Sequence, residues 1–186
     1  MKSKSTRGQL QARVRSHVIP NRGISNTLVD RLCTRVCRGG HYVGCYAADR
    51  LPMGLTQKAV FIVIANLGPS LFARKRDNLT MRGGHFVTIV ATTDQVRYID
   101  PFGIPSISPY VETFLTTCNR PINVNLRQIQ SFDSPFCGFY AILFAAFFDE
   151  KFSNNSKRRL QFFEHPHLEK NDALCEAYLY EMISGK

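Results

Sequence analysis

An α+β domain, a central mixed β-sheet flanked by helices with a cysteine at the N-terminus of a buried central helix, is what the order of segments in these 186 residues predicts. Three observations carry that expectation. Residues 58–67, KAVFIVIANL, form a continuous β-branched run suited to a strand buried on both faces. HFVTIVAT and QVRYIDPF, separated by Thr93-Asp94, read as the two arms of a hairpin. The apolar run from Phe139 to Phe148 is far shorter than the roughly 20 residues of a bilayer span, so it reads as a core helix.

The first 25 residues mix Lys, Arg, Ser and Gln around an Ile-Pro-Asn-Arg-Gly break and are expected to be a basic, flexible arm, with one domain over residues 26–186. Nine Lys/Arg and a single acid, Asp30, fall within residues 1–38, so most of the net charge of +10 sits at this end. That excess suits DNA or RNA contact as well as it suits a solvated tail. The first 20 residues lack the apolar stretch of a secretory signal, which places the expected site of action inside a cell, with no membrane association.

SNTLVDRLCTRVC, from Ser25, carries Leu28, Leu32 and Val36 at helical spacing, with Ser25 or Asn26 as cap and Gly39-Gly40 as stop. Cys33, Cys37, His41 and Cys45 recur every four residues and are all potential zinc ligands. The glycine pair interrupts that repeat, however, and no C-x-x-C pair accompanies it. No metal is expected, and the six cysteines are expected to be free thiols.

Residues 68–82 carry Pro69, Arg74, Lys75, Arg76 and Arg82 and read as an exposed positive connection. SPYVETFLTTC, residues 108–118, opens on Ser-Pro and places Tyr110, Phe114 and Leu115 along one helical face, and INVNLRQIQ, residues 122–130, reads as a strand. The central helix is expected from Pro135, capped by Ser134, to about Phe152. After the polar SNNSKRR stretch, NDALCEAYLYEMI at 171–183 closes the chain as a helix.

The central helix sets the chemistry. Ser134 as cap and Pro135 as first helical residue would place Cys137 in the first turn, where free N–H groups and the helix dipole favour a thiolate. A thiol nucleophile needs a base, and the base works best when a carboxylate fixes its tautomer. His85 opens the first hairpin strand and Asp100 ends the second, so a tight hairpin sets them side by side. Gln130, seven residues before Cys137, supplies a side-chain amide for an oxyanion, with the Cys137 backbone N–H as second donor; Gln128 competes for that role.

Four blocks in this order resemble the adenain family, the adenovirus-type maturation cysteine endopeptidases, which are distantly related to the ubiquitin-like-protein proteases. They are HYVGCYAADRLP, KAVFIVIAN, GGHFVTIVATTDQVRYIDPFG and QIQSFDSPFCGFYAILF. The resemblance implies an adenain-like cysteine protease fold with Cys137 as nucleophile, His85 as base, Asp100 as acid and Gln130 as oxyanion donor. Asp at the acid position follows the ubiquitin-like-protein branch, since adenovirus enzymes usually carry Glu there.

The implied reaction is cleavage after glycine in viral precursor proteins, through a thioester, by a monomer acting in the host nucleus and the virion. Gly83-Gly84 beside His85 would leave room for close approach of a substrate backbone. The resemblance also implies activation by DNA, which the basic arm suits, and by a short peptide joined through a cysteine. Cys118 lies near the family's pairing position.

Three rival readings share parts of this pattern. A deconjugase of ubiquitin-like modifiers would use the same triad, but it usually closes an aromatic pair, often with Trp, over a diglycine tail, and this chain has no Trp. An acetyltransferase of the same fold would need an acyl-coenzyme and polyphosphate site, for which only scattered basic residues stand. A basic nucleic-acid-binding protein without catalysis would leave Cys137 without a role.

Overall fold

A computed structural model describes residues 23–65, 84–149 and 163–184. Most of the expected basic arm, the expected positive connection over 68–82 and the polar stretch at 153–159 lie outside them. The described chain is an α+β domain in which a five-stranded mixed sheet packs against four helices. Helix α1 (Asn26–Val36) leads to β1 (Tyr42–Ala47), a single 3-10 turn (Ala48–Arg50) and β2 (Ala59–Ile64). Then come β3 (Phe86–Ala91), β4 (Val96–Ile99), α2 (Pro109–Thr117), β5 (Ile122–Val124), α3 (Cys137–Asp149) and α4 (Leu168–Ser184). The strands lie in sequence order across the sheet. The central pairs β2–β3 and β3–β4 are antiparallel, and the outer pairs β1–β2 and β4–β5 are parallel.

The apolar character of β2 and β3, broken only by Thr88, has a direct structural cause, because every residue of both strands is buried. Alternation sends Val60, Ile62 and Ile64 into a core shared with α1, α3 and α4. The intervening Ala59, Phe61 and Val63 enter a second core closed by Val111, Phe114 and Leu115 of α2. Helix α3 lies inside the first core and is buried at every position from Gly138 to Asp149, so its all-round apolar sequence needs no membrane to explain it. Among the described residues no helix is long and apolar enough to cross a membrane.

Two ends of this scaffold are tied by side chains. Ser25 caps α1 by accepting from the Leu28 N–H at 3.3 Å. At the far end of α3, the buried Asp149 carboxylate accepts from the backbone N–H groups of His41 (2.6 Å) and Tyr42 (2.7 Å) and from Gly39. These charge-assisted bonds pin the connection between α1 and β1 to the central helix.

Several boundaries differ from expectation, among them that of α4, which starts at Leu168 rather than Asn171. Strand β5 stops at Val124 instead of running to Gln130. Beyond it the Asn125 side chain turns away from the ladder, accepting from Asp100 N–H and donating to Asp100 C=O, both at 2.7 Å. The helix expected from Pro135 begins at Cys137, with the Phe136 carbonyl accepting the first helical bond from Tyr140 N–H at 3.0 Å. Ser134 is not its cap, because its N–H closes a turn onto Ser131 C=O and its carbonyl accepts from the Gln130 side chain.

Candidate active site

His85 stands immediately before β3 and Asp100 immediately after β4, so the antiparallel register that pairs Thr88 with Ile99 brings the two ends together. His85 Nε2 and Asp100 Oδ2 are 2.8 Å apart, with side-chain exposures of 18% and 4%, so water is largely excluded from this bond. Asp100 is itself held rigidly. Its Oδ1 accepts from Phe102 N–H at 2.7 Å, its backbone is clamped by Asn125, and its carbonyl accepts from Gly103 N–H at 2.9 Å. Gly103 takes a φ of +68°, and a Cβ there would sit 2.5 Å from the Arg127 carbonyl carbon. Only glycine fits this turn against the segment that leads to Gln130.

Cys137 opens α3 at the position whose N–H has no intrahelical partner. Its sulfur lies 3.9 Å from the carbonyl oxygen of Gly84, the residue before His85, and Cys137 favours the charged form of the His85 ring. With Nε2 committed to Asp100, Nδ1 is the nitrogen that remains for the thiol. Burial opposes charge on His85. The hydrogen bonds and charges of Asp100 and Cys137 outweigh that burial and push the imidazole up from 6.5 to about 9. The ring therefore favours its charged form at neutral pH. By contrast, burial pushes the thiols of Cys33, Cys45, Cys118 and Cys175 up, which keeps them protonated and poor nucleophiles.

Gln130 is fully buried on the segment that precedes α3. Both its own N–H and that of Ile129 are accepted by Pro101 C=O, at 3.0 and 2.9 Å, which joins this segment to the Asp100 turn. Its Nε2 donates to Ser134 C=O at 2.6 Å, three residues ahead of the cysteine, and its Oε1 has no hydrogen-bond partner among the described residues. Gln128 instead spends its side-chain amide on Gln130 C=O at 2.8 Å. From behind, α4 braces the same segment. Asn171 donates to Ile129 C=O at 3.1 Å, and Tyr140 of α3 donates to the buried Asp172 at 2.9 Å.

Two aromatic residues complete the wall beside the histidine. Phe102 stacks on the His85 ring with centroids 4.9 Å apart and planes 18° apart, and Phe132 stacks on Phe102 at 5.4 Å and 21°. Sequence reasoning missed this column, although Phe102 follows Asp100 by two residues and Phe132 is an isolated aromatic in the polar segment SFDS. It also missed Asn125, whose pairing with Asp100 spans 25 residues and leaves no local signature.

The other candidates lie apart from this centre. Cys118 is half-buried at the C-cap of α2 and packs in the core on the opposite face of the sheet from Cys137. Cys37 and Cys45 line a cavity of about 360 Å³ between α1 and β1 together with Asp30 and Tyr42. Among the described residues no three His, Cys, Asp or Glu side chains are grouped to hold a metal ion.

The class these features define is an α+β domain bearing a partly buried Cys-His-Asp constellation at a helix N-terminus. Neither protein-family models nor curated protein sequences give a match to this chain.

Proposed function

We propose that this chain is a cysteine endopeptidase with an adenain-like fold that cleaves viral precursor proteins after glycine during particle maturation. The observation that carries the chemistry is the 2.8 Å contact of His85 with Asp100, on an imidazole whose charge Cys137 also favours and whose preceding residue, Gly84, contacts the Cys137 sulfur. The glycine preference and the viral setting rest on the resemblance of the four sequence blocks to the adenain family.

In the reaction, the Cys137 thiolate attacks the carbonyl carbon of the scissile peptide bond. Negative charge gathers on the carbonyl oxygen, where the Cys137 backbone N–H is the nearest donor on the helix. Gln130 is the second donor once its amide releases Ser134 C=O or shares its other N–H. As the C–N bond breaks, His85 Nδ1–H passes its proton to the departing amine and leaves a thioester on Cys137. The neutral imidazole then takes a proton from water, the resulting hydroxide attacks the thioester, and carboxylate product and thiolate separate. Asp100 holds the ring in the tautomer that directs Nδ1 at the sulfur throughout.

Activation by DNA through the basic N-terminal residues, activation by a peptide through Cys118, and residence in the host nucleus and virion belong to the same proposal. The test is incubation of wild type and Cys137→Ser with Gly-Gly peptides, with and without DNA, followed by mass spectrometry of the products and of iodoacetamide-labelled enzyme. The expected result is cleavage after glycine and rapid labelling of Cys137 in wild type alone. Equal cleavage by both proteins would remove Cys137 from the mechanism.

A further inference from the structure

The His85–Phe102–Phe132 column has an unusual outer end. Phe132 is 68% exposed, yet it does not ride on a loose loop. Its segment is fastened by Ile129 and Gln130 N–H to Pro101 C=O, by Ser134 N–H to Ser131 C=O, and by the Gln130 side chain to Ser134 C=O. A large apolar ring is therefore held in water, at fixed orientation, on a stack that ends on the imidazole. Packing gives Phe102 its reason, since it shields the His85–Asp100 bond and presents a π-face to the imidazolium. It gives none for the outward face of Phe132.

The reaction supplies a reason. His85 must hand its proton to the departing nitrogen, so the half of the substrate that carries that nitrogen has to run past the imidazole. The ring column borders that path. Nearby apolar surface extends it, because Gly103 brings the turn carrying the exposed Ile104 into backbone contact with Arg127, next to the exposed Leu126.

We propose that Phe132, backed by Phe102, is a specificity-determining surface for the leaving side of the scissile bond, selecting a large apolar or aromatic side chain at the first or second residue there. The proposal rests on the endopeptidase reading above. An aromatic or leucine side chain would cover the open face of Phe132 and lose water from both surfaces, whereas a carboxylate there would lose its own hydration.

The test uses the full chain as wild type, Phe132→Ala and Phe132→Tyr. Each protein is given Gly-Gly peptides randomised at the two positions after the scissile bond, and separately a glycyl methyl thioester with the same acyl sequence and no leaving-side residue. Wild type is expected to rank Phe and Leu above Asp by about tenfold in kcat/KM, the discrimination typical of one apolar contact. Phe132→Tyr keeps that ranking. Phe132→Ala flattens it, and loses more on the apolar peptides than on the thioester. An unchanged ranking in Phe132→Ala, or equal losses on peptide and thioester, overturns the assignment. If wild type hydrolyses neither peptide nor thioester, the endopeptidase reading itself fails, and a protein that turns over the thioester with no leaving-side preference refutes only the role of Phe132.

Discussion

Replacing Asp100 by asparagine leaves the turn intact and reverses the hydrogen bond that matters. Asparagine can keep its Oδ1 on Phe102 N–H, where Asp100 accepts at 2.7 Å, and then its Nδ2 faces His85 Nε2. An N–H there can only donate, which forces the neutral ring to carry its proton on Nδ1, against the thiol. The charge of Asp100 is lost together with the hydrogen bond, and both help hold His85 at about 9. Against the ordinary 6.5, that elevation corresponds to about 3 kcal/mol favouring the charged ring, of which the Cys137 contacts supply part.

The His85 titration midpoint in Asp100→Asn, followed by NMR of the ring protons, should therefore fall by at least about one unit, and kcat should drop by about 10²- to 10⁴-fold. Stability carries the same signature. Because His85 is raised in the folded protein, its contribution is fully present below about pH 6.5 and disappears as pH rises through about 9. The wild-type advantage over Asp100→Asn in urea unfolding should accordingly shrink across that window. A variant that keeps a midpoint near 9 and turns over within about tenfold of wild type would refute the pairing as the source of the elevated imidazole.

Other expectations concern the scaffold that aims the site. Asp149→Asn leaves one oxygen for the three backbone donors at Gly39, His41 and Tyr42 and turns an amide toward one of them; a loss of about 3 kcal/mol follows, or about 10 °C in Tm by circular dichroism. A change under about 2 °C would mean that the carboxylate does not carry the clamp. Gly138→Ala places a methyl 2.2 Å from Ile24 Cγ2, so Ile24 must shift; denaturant titration should show a cost of about 1–3 kcal/mol, and Cys137 alkylation should slow. Unaltered stability and alkylation in that variant would mean that the contact relaxes freely.

How far the chain could be read in advance depended on how local each signal was. The six residues of β2 and those of β3 announce themselves because burial on both faces leaves no polar position in β2 and only Thr88 in β3, whose hydroxyl donates to Ala141 C=O of α3. The meeting of His85 with Asp100 follows from a hairpin turn only a few residues long. The start of α3 was misplaced by two residues because a side chain from outside the helix, Gln130, holds the Ser134 carbonyl. Strand β5 is shorter than its pattern suggests for a similar reason, since after the Asn125 N–H reaches Tyr98 C=O at 3.3 Å the Asn125 side chain takes over the pairing with the Asp100 backbone. Asp149 and Phe132 were invisible because their partners lie about a hundred residues away or on another loop. Sequence patterns reveal which faces are apolar; they carry little about which loop a single polar or aromatic side chain will meet.

The contact between Ile24 and Gly138 reaches beyond packing. Ile24 lies at the start of the described chain, two residues ahead of α1, while Gly138 directly follows Cys137. The two positions form a covarying pair in prospect. A bulkier residue at 138 demands a smaller one at 24, so among diverged copies of this chain the residue at 24 should track the residue at 138. A rescue experiment can read that linkage directly, since Ile24→Ala introduced with Gly138→Ala should recover part of what Gly138→Ala alone loses.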